Sequence, residues 1–446
     1  MAPVSVQLVQ AGTRLRMPAL ANAHDHARTF RSTSLGAFNV PFESWNPIVT
    51  RAPQVDAWLA ACVSLARTAR SGVGAIMVHY TRAQRLTDPV SEAREVARAA
   101  NDLGVRIAFA VAMGDMNPIA YAPSARVLAQ LRPSIREEVA RHLDRPTASA
   151  AEQIALADEI AAAIDSPMVT VQYGPRGPKW ASRPMLEAVA EASARTGRRV
   201  HMHFAETRYE REWIDSHYPE GVLTYLAGIG LLSPRLSLAH CTWARDDELE
   251  LMAAHGVTAV LNPGSNLTLR SGIAPGARMA LRGVRLAVGG DGLTLDDDDD
   301  MLREARLAWH LHKGWGFEPG LDADRALEAA CRGGYFAVTG NSGADFGDVV
   351  EFDLGRLADD FDIVPVNLAE LVLARAQVGH VSRLEVAGRT VIEEGRFTGI
   401  DYPVLRDELL AQARARGAEF AAWHAIASDL AEDLGPFYLK RLHTCA

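Results

Sequence analysis

The sequence predicts an α/β protein built on a TIM-type (β/α)8 barrel, with a small, reduced β-sandwich made from the two chain ends. Three observations carry this expectation. Short apolar runs alternate with amphipathic helical stretches from about residue 18 to residue 340. There are eight such runs, and they are near-continuously apolar rather than alternating, as strands covered on both faces are. The polar residues His24, His26, His79, His203, His240, Asn262 and Asp291 fall at or just past the C-terminal ends of those runs. In a closed parallel barrel that edge is one rim, so these side chains converge on one cavity.

Taken in order, strands are expected at 19–23, 74–78, 105–111, 168–172, 199–203, 236–239, 257–261 and 284–288. Helical patterns lie between them at 55–70, 90–103, 151–164, 185–196 and 246–254. Outside the barrel, 4–9, 348–352, 383–386 and 389–393 read as strands, the last two flanking Ala387-Gly388 as a hairpin turn. Residues 403–430 read as helical, with Leu409, Ala413, Phe420 and Trp423 on one face and Gly417 as an interruption. The expected division is a barrel over 18–340, a small β domain from 1–17 with 341–400, and a helical extension over 401–446.

Composition narrows the function. A net charge of −9 argues against a nucleic-acid partner, which needs a basic surface. No apolar run is long enough for a membrane span, and no basic-then-apolar start suggests a signal peptide. The cysteines at 62, 241, 331 and 445 lack CxxC spacing and read as reduced thiols of a cytoplasmic protein.

The chemistry sits in four segments. Asn22-Ala23-His24-Asp25-His26 places two histidines at strand spacing, where i and i+2 share a face and both imidazoles can grip one ion. His201-Met202-His203 repeats that pattern: His203 is nearer the rim, and His201 lies a layer deeper as a core histidine. Glu206 follows where the chain leaves the strand, as a proton acceptor beside a metal-bound water or as a solvated helix-opening glutamate. His240 and Asp291 each end an apolar strand. Alone, the first reads as a hydrogen-bonded core histidine and the second as a turn residue. Four such residues at separate rim positions point instead to a metal site.

The order HxH, HxHxxE, AHCxW, NPxSN and GxDG followed by Asp-Met-Leu is carried here by Asn22–His26, His201–Thr207, Ala239–Trp243, Asn262–Asn266 and 289–302. It resembles the amidohydrolase superfamily, most of all its cytosine deaminase, chlorohydrolase and guanine deaminase branch, over about 17–312. The resemblance implies one divalent ion, zinc first and iron second, on His24, His26, His203 and Asp291. It implies His240 on the attacking water or developing oxyanion and Glu206 as proton shuttle. The implied reaction is removal of an amino group from a nitrogen heterocycle by a metal-bound hydroxide. The alternative keeps the site but cleaves an amide, carbamate or urea C–N bond, or expels chloride or alkylamine. One ion is expected because 168–173 holds no lysine to bridge two, and Lys179 lies six residues past that segment.

Two features depart from that family: Asp25 inside HxH, expected to face the barrel wall, and only 23 residues before His24. The substrate is expected to be a small molecule, with His79, Gln172, Arg176, Trp180 and Asn266 as candidate contacts. His79 reads equally as a buried core histidine, and Arg176 as a solvated loop arginine. The loop 27–50, with Phe30, Phe38, Phe42 and Trp45, is read as a pocket wall, a lid or a subunit contact. With the C-terminal helical region, that loop is a candidate homodimer surface. Asp296 to Asp300 read as a solvated helix N-terminus.

Overall fold

The structure, a computed structural model, describes residues 8–11, 13–117, 119–143, 147–358, 360 and 367–444. Eight parallel strands follow one another around a ring: β1 Leu20–Asp25, β2 Val73–Tyr80, β3 Arg106–Met113, β4 Val169–Pro175, β5 Val200–Phe204, β6 Leu236–His240, β7 Thr258–Leu261 and β8 Arg285–Val288. They are buried on both faces, which is why their sequences are unbroken apolar runs rather than alternating ones. At the top, the Asp291 N–H donates to the His24 carbonyl at 2.8 Å and joins the end of β8 to β1. Gly289 permits this approach, because a Cβ there would lie 2.7 Å from the His24 nitrogen.

Helices cover the barrel where the periodicity placed them, among them Ala57–Ala69, Pro89–Leu103, Ala150–Ile164, Arg183–Thr196 and Asp246–Ala254. Asp56, Asp88, Ser149 and Ser182 cap the first four of these, each accepting from first-turn N–H groups.

An antiparallel sheet flanks the barrel, in the order Val9–Ala11, Arg14–Pro18, Val349–Asp353, Val381–Val386, Arg389–Glu393, Arg396–Phe397. Of the strand expected over 4–9, residues 4–7 lie outside the described residues. The Arg14–Pro18 strand was not anticipated; it pairs with Val349–Asp353 and buries Leu15 and Met17. The hairpin at Ala387-Gly388 has both residues at positive φ, 50° and 74°, as a two-residue turn of matching twist requires.

The C-terminal region breaks at Arg416 into the helices Tyr402–Ala415 and Gly417–Leu439, as Gly417 suggested. Leu409 packs with Val55, Leu59 and Val63, and Trp423, Leu430, Leu434 and Phe437 are buried in the main core. Of the expected apolar face, Leu409 and Trp423 are thus buried inside the molecule, and Ala413 and Phe420 are half-buried. Cys62, Cys241 and Cys331 are buried free thiols; Cys445 lies outside the described residues. Among the described residues, no helix is long and apolar enough to cross a membrane.

One buried carboxyl ties the rim together. Glu304, on the helix Met301–His312, accepts from the Gly264 N–H at 2.9 Å and the Leu295 N–H at 3.0 Å, and burial pushes its pKa up to about 8. Glu304→Ala would leave two buried donors without acceptors, at about 1–3 kcal/mol each. A thermal melt should show a clear fall in Tm; an unchanged Tm would mean that water replaces the carboxyl at no cost.

Candidate metal centre and active site

The C-terminal rim carries backbone strain. Ala27, Ala205, His240, Cys241 and Asp291 have φ between 46° and 69°, a region that side chains other than glycine rarely adopt. All five lie just past or at the ends of β1, β5, β6 and β8, where the expected site residues converge.

Hydrogen bonding fixes the proton on each imidazole. His26 Nδ1 faces the His79 carbonyl at 2.7 Å, and His203 Nδ1 faces the Arg176 carbonyl at 2.6 Å. A carbonyl only accepts, so both Nδ1 atoms carry the proton and both Nε2 atoms are bare. Yet those two Nε2 atoms sit 3.3 Å apart. His24 follows through a relay. Ser237 Oγ donates to the Val200 carbonyl at 3.4 Å and accepts from His201 Nδ1 at 2.7 Å. His201 Nε2 then accepts from His24 Nδ1 at 2.7 Å. His24 Nε2 is thus bare and buried, with no hydrogen-bond partner.

The carboxylate of Asp291 faces the same point. Its Oδ1 lies 3.4 Å from His24 Nε2 and 3.1 Å from His26 Nε2. Ser265 Oγ donates to Oδ2 at 2.6 Å, and Arg28 Nη2 donates to Oδ1 at 2.9 Å. Burial alone would raise its pKa, but Arg28 and the two histidines outweigh that and hold it well below the usual carboxylate range. Burial lowers the pKa of His24 and His26 to about 3 and drives His201 and His203 lower than usual, so all four are neutral. Three bare nitrogens and a carboxylate, packed lone pair to lone pair, repel one another unless a cation lies among them. The donor set, neutral imidazole with one carboxylate, suits a divalent metal. Among the described residues, His24 recurs in every buried triplet able to hold an ion, including His24–His79–His201 and His24–His240–Asp291. The triplets therefore overlap around one centre.

The supports are equally defined. His201 lies below His24 and orients it. Asp25 turns toward the wall, as expected from its strand parity, where it accepts from Asn22 Nδ2 at 2.7 Å, the Ala27 N–H at 2.8 Å and the Gly292 N–H at 3.2 Å.

Glu206 is only 1% exposed, which excludes the solvated reading of this glutamate. Burial raises its pKa to about 7; His240 and Lys179 oppose the rise, and Asp291 and Glu210 add to it. Lys179 is fully buried, 3.7 Å from Glu206 and 2.9 Å from Glu210, and caged by the rings of Phe42, Tyr121 and Trp180. Its Nζ donates to Tyr121 Oη at 3.2 Å, and Tyr121 donates in turn to Glu43 at 2.9 Å. Thr207 Oγ1, next to Glu206, also donates to Glu43, at 2.6 Å. The sequence did not reveal this network. In the sequence Lys179 stood out only as too far past the fourth strand to bridge two ions, and nothing in the spacing connects Glu43 with Glu210.

Comparison with known proteins agrees with this geometry. Residues 15–343 match the family model described as "Amidohydrolase family". The chain belongs to the amidohydrolase family. It is 27% identical over 411 residues to a 5-methylthioadenosine/S-adenosylhomocysteine deaminase of Pyrococcus furiosus, covering 90% of this chain and 89% of that one. It is 31% identical over 262 residues to the enzyme of that name from Syntrophomonas wolfei, across 55% of this chain and 57% of the relative. In fold it is similar to a zinc-bound adenosine deaminase structure from Xanthomonas campestris, with a TM-score of 0.73 and 24% identity over 91% of this chain and 86% of that one.

The remaining expected contacts of this amidohydrolase divide. His79 and Trp180 border the cluster. His79 stacks on His26 at 5.5 Å and lies 4.9 Å from His203, with Nε2 donating to the Gly174 carbonyl and a buried, unpartnered Nδ1. Trp180 meets His203 edge-on at 6.1 Å, with a buried, unpartnered indole N–H. Arg176 has a buried Nε without an acceptor. His240 Nδ1 donates to Asn266 Oδ1 at 2.9 Å, which leaves its Nε2 as an acceptor and makes Asn266 an orienting partner of His240. Gln172 is corrected: its amide donates to the Ala337 and Val338 carbonyls at 3.0 and 2.9 Å, below the rim. The aspartate block is not solvated as expected. Asp297, Asp299 and Asp300 are buried, Asp299 pairs with Arg67 at 3.0 Å, and Asp297 accepts from the Thr33 hydroxyl at 2.6 Å.

The loop 27–50 is a lid on its own barrel. It contains an unanticipated helix, Phe42–Val49, whose Phe42 contacts Trp180 and whose Trp45 is buried against Arg28. The helix Gly417–Leu439 holds it down, with Trp423 Nε1 donating to the Pro47 carbonyl at 2.9 Å. The candidate ligands lie beneath this lid, none more than 5% exposed.

Proposed function

We propose that this amidohydrolase is a zinc-dependent aminohydrolase that removes an amino group from a nitrogen heterocycle. One observation carries the reading: three bare imidazole nitrogens and Asp291 meet beside a buried glutamate whose pKa is held near neutrality. A zinc ion on His24, His26, His203 and Asp291 would acidify a water and polarise the carbon it attacks. His240, whose Nδ1 donates to Asn266, turns a bare Nε2 toward the attacked carbon, where it accepts a hydrogen bond from the attacking water and orients it. Glu206, with a pKa near neutrality, carries the first water proton to a ring nitrogen and then the second, from the hydroxyl added to the carbon, to the amino group, which leaves as ammonia as the C–N bond breaks and the C=O forms. Lys179 offsets part of the burial that favours the protonated form of Glu206. The deaminase names of the relatives support this choice of leaving group.

The test is ammonia release by zinc-loaded protein from a panel of aminopyrimidines, aminopurines and aminotriazines. Release from at least one of these compounds is expected. No ammonia from any of them, together with turnover of an amide, carbamate or chloro-heterocycle, would overturn the choice of leaving group.

A further inference from the structure

We propose that Arg82, Arg85 and Arg176 form an anion subsite on the rim over β2–β4, which takes a carboxylate carried by the substrate ring. The proposal rests on the deaminase reading and adds the class of heterocycle.

Both inner arginines are built into the metal-facing cluster. Arg176 follows the last residue of β4, and its carbonyl accepts from His203 Nδ1 at 2.6 Å. Arg82 follows Thr81, whose hydroxyl lies 2.8 Å from His26 Nδ1. Each guanidinium thus starts from a backbone position beside a histidine of the cluster. Arg85 extends the same loop after β2 at φ 59° and is exposed.

None of the three has an ionic partner among the described residues. Other buried or half-buried arginines do: Arg28 pairs with Asp291 at 2.9 Å, Arg67 with Asp299 at 3.0 Å, and Arg211 with Glu248 at 2.8 Å. Arg82 donates only to neutral oxygens of the lid, Asn46 Oδ1 at 2.8 Å and Thr50 Oγ1 at 3.4 Å. Its Nε and that of Arg176 are buried without an acceptor. The charges lie within reach of one another. Burial first, then Arg28, Arg176 and Arg85, lower the pKa of Arg82 to about 9, against an opposing pull from Asp291. Burial and Arg85 lower that of Arg176. Arg82 and Arg176 are half-buried and Arg85 is exposed, and like charges gathered at a partly desolvated rim are unfavourable unless an anion joins them. A guanidinium offers its Nε–H and one Nη–H as a planar fork matched to a carboxylate.

The experiment compares paired substrates, each amino-heterocycle with and without a ring carboxylate, for example 2-aminopyrimidine-5-carboxylate against 2-aminopyrimidine. In the zinc-loaded wild-type protein, kcat/KM should favour the carboxylate of a pair by about 10- to 100-fold, the size of an added charge-assisted contact. Calorimetric binding of the same pairs should show the same order without relying on turnover. Arg176→Met, with Arg82→Met as the second variant, should erase most of that preference. Equal rates and equal binding in every pair, or a preference retained in both variants, would overturn the subsite. Equal rates with ammonia released would do so while leaving the deaminase reading intact. A carboxylate preference in binding with no ammonia from any compound would do the reverse. A phosphonate analogue that binds more tightly than the carboxylate would overturn the assignment of carboxylate.

Discussion

Glu206→Gln is expected to keep its metal and lose turnover by roughly two to four powers of ten, the usual contribution of a positioned proton carrier. Glutamine preserves the shape of the side chain and cannot titrate, so metal content by elemental analysis should match wild type while kcat falls. The sign of the pH effect follows from the raised pKa. As an acceptor Glu206 must be ionised, so wild-type kcat should decline as pH falls through about 7. The variant should lack that acid limb. Near-normal turnover in Glu206→Gln would assign proton transfer elsewhere, with His240 the next candidate.

Asp291→Ala should remove both metal and activity. The carboxylate faces two of the three bare imidazoles and is held by Ser265 and Arg28. Its loss should weaken metal affinity by more than the ~10–100-fold that loss of an outer partner costs. It also leaves Arg28 buried without its carboxylate, a penalty of about 3–5 kcal/mol for a broken buried pair. Asp291→Asn separates the two effects, since it keeps the hydrogen bond from Ser265 while removing the charge. Metal retained in full by Asp291→Ala would show that the ion does not use this residue.

Much of this was legible because barrel strands are apolar on both faces and end in polar residues. Strand parity placed His24 and His26 inward and Asp25 on the wall. Parity says nothing of depth, and there it misled: β4 runs to Pro175 rather than ending at Gln172, so Gln172 lies below the rim. The motif placed Asn266 near the site but did not show that its amide oxygen meets His240. Arg14–Pro18 escaped notice because only Leu15 and Met17 of its five residues are buried. The lid helix Phe42–Val49 carries Pro47 inside it and no side-chain cap, so it lacked both helix signals. The Lys179 network joins residues up to 167 positions apart in sequence, from Glu43 to Glu210, and only the closed barrel brings them together.

The fixed tautomers bear on how the centre competes with acid. A metal and a proton seek the same lone pair, and ordinary histidine sites release their ions as pH drops through about 6.5. Here His24 and His26 protonate only near 3, so protons are weak competitors across the mildly acidic range. The cost falls on folding instead. In the unfolded chain these imidazoles take up protons below about 6.5, whereas the folded protein refuses them, so the metal-free fold loses stability as pH falls from 6.5 toward 3. Occupancy of the centre and integrity of the barrel should therefore fail together in acid, as one cooperative event rather than as leaching from an intact scaffold.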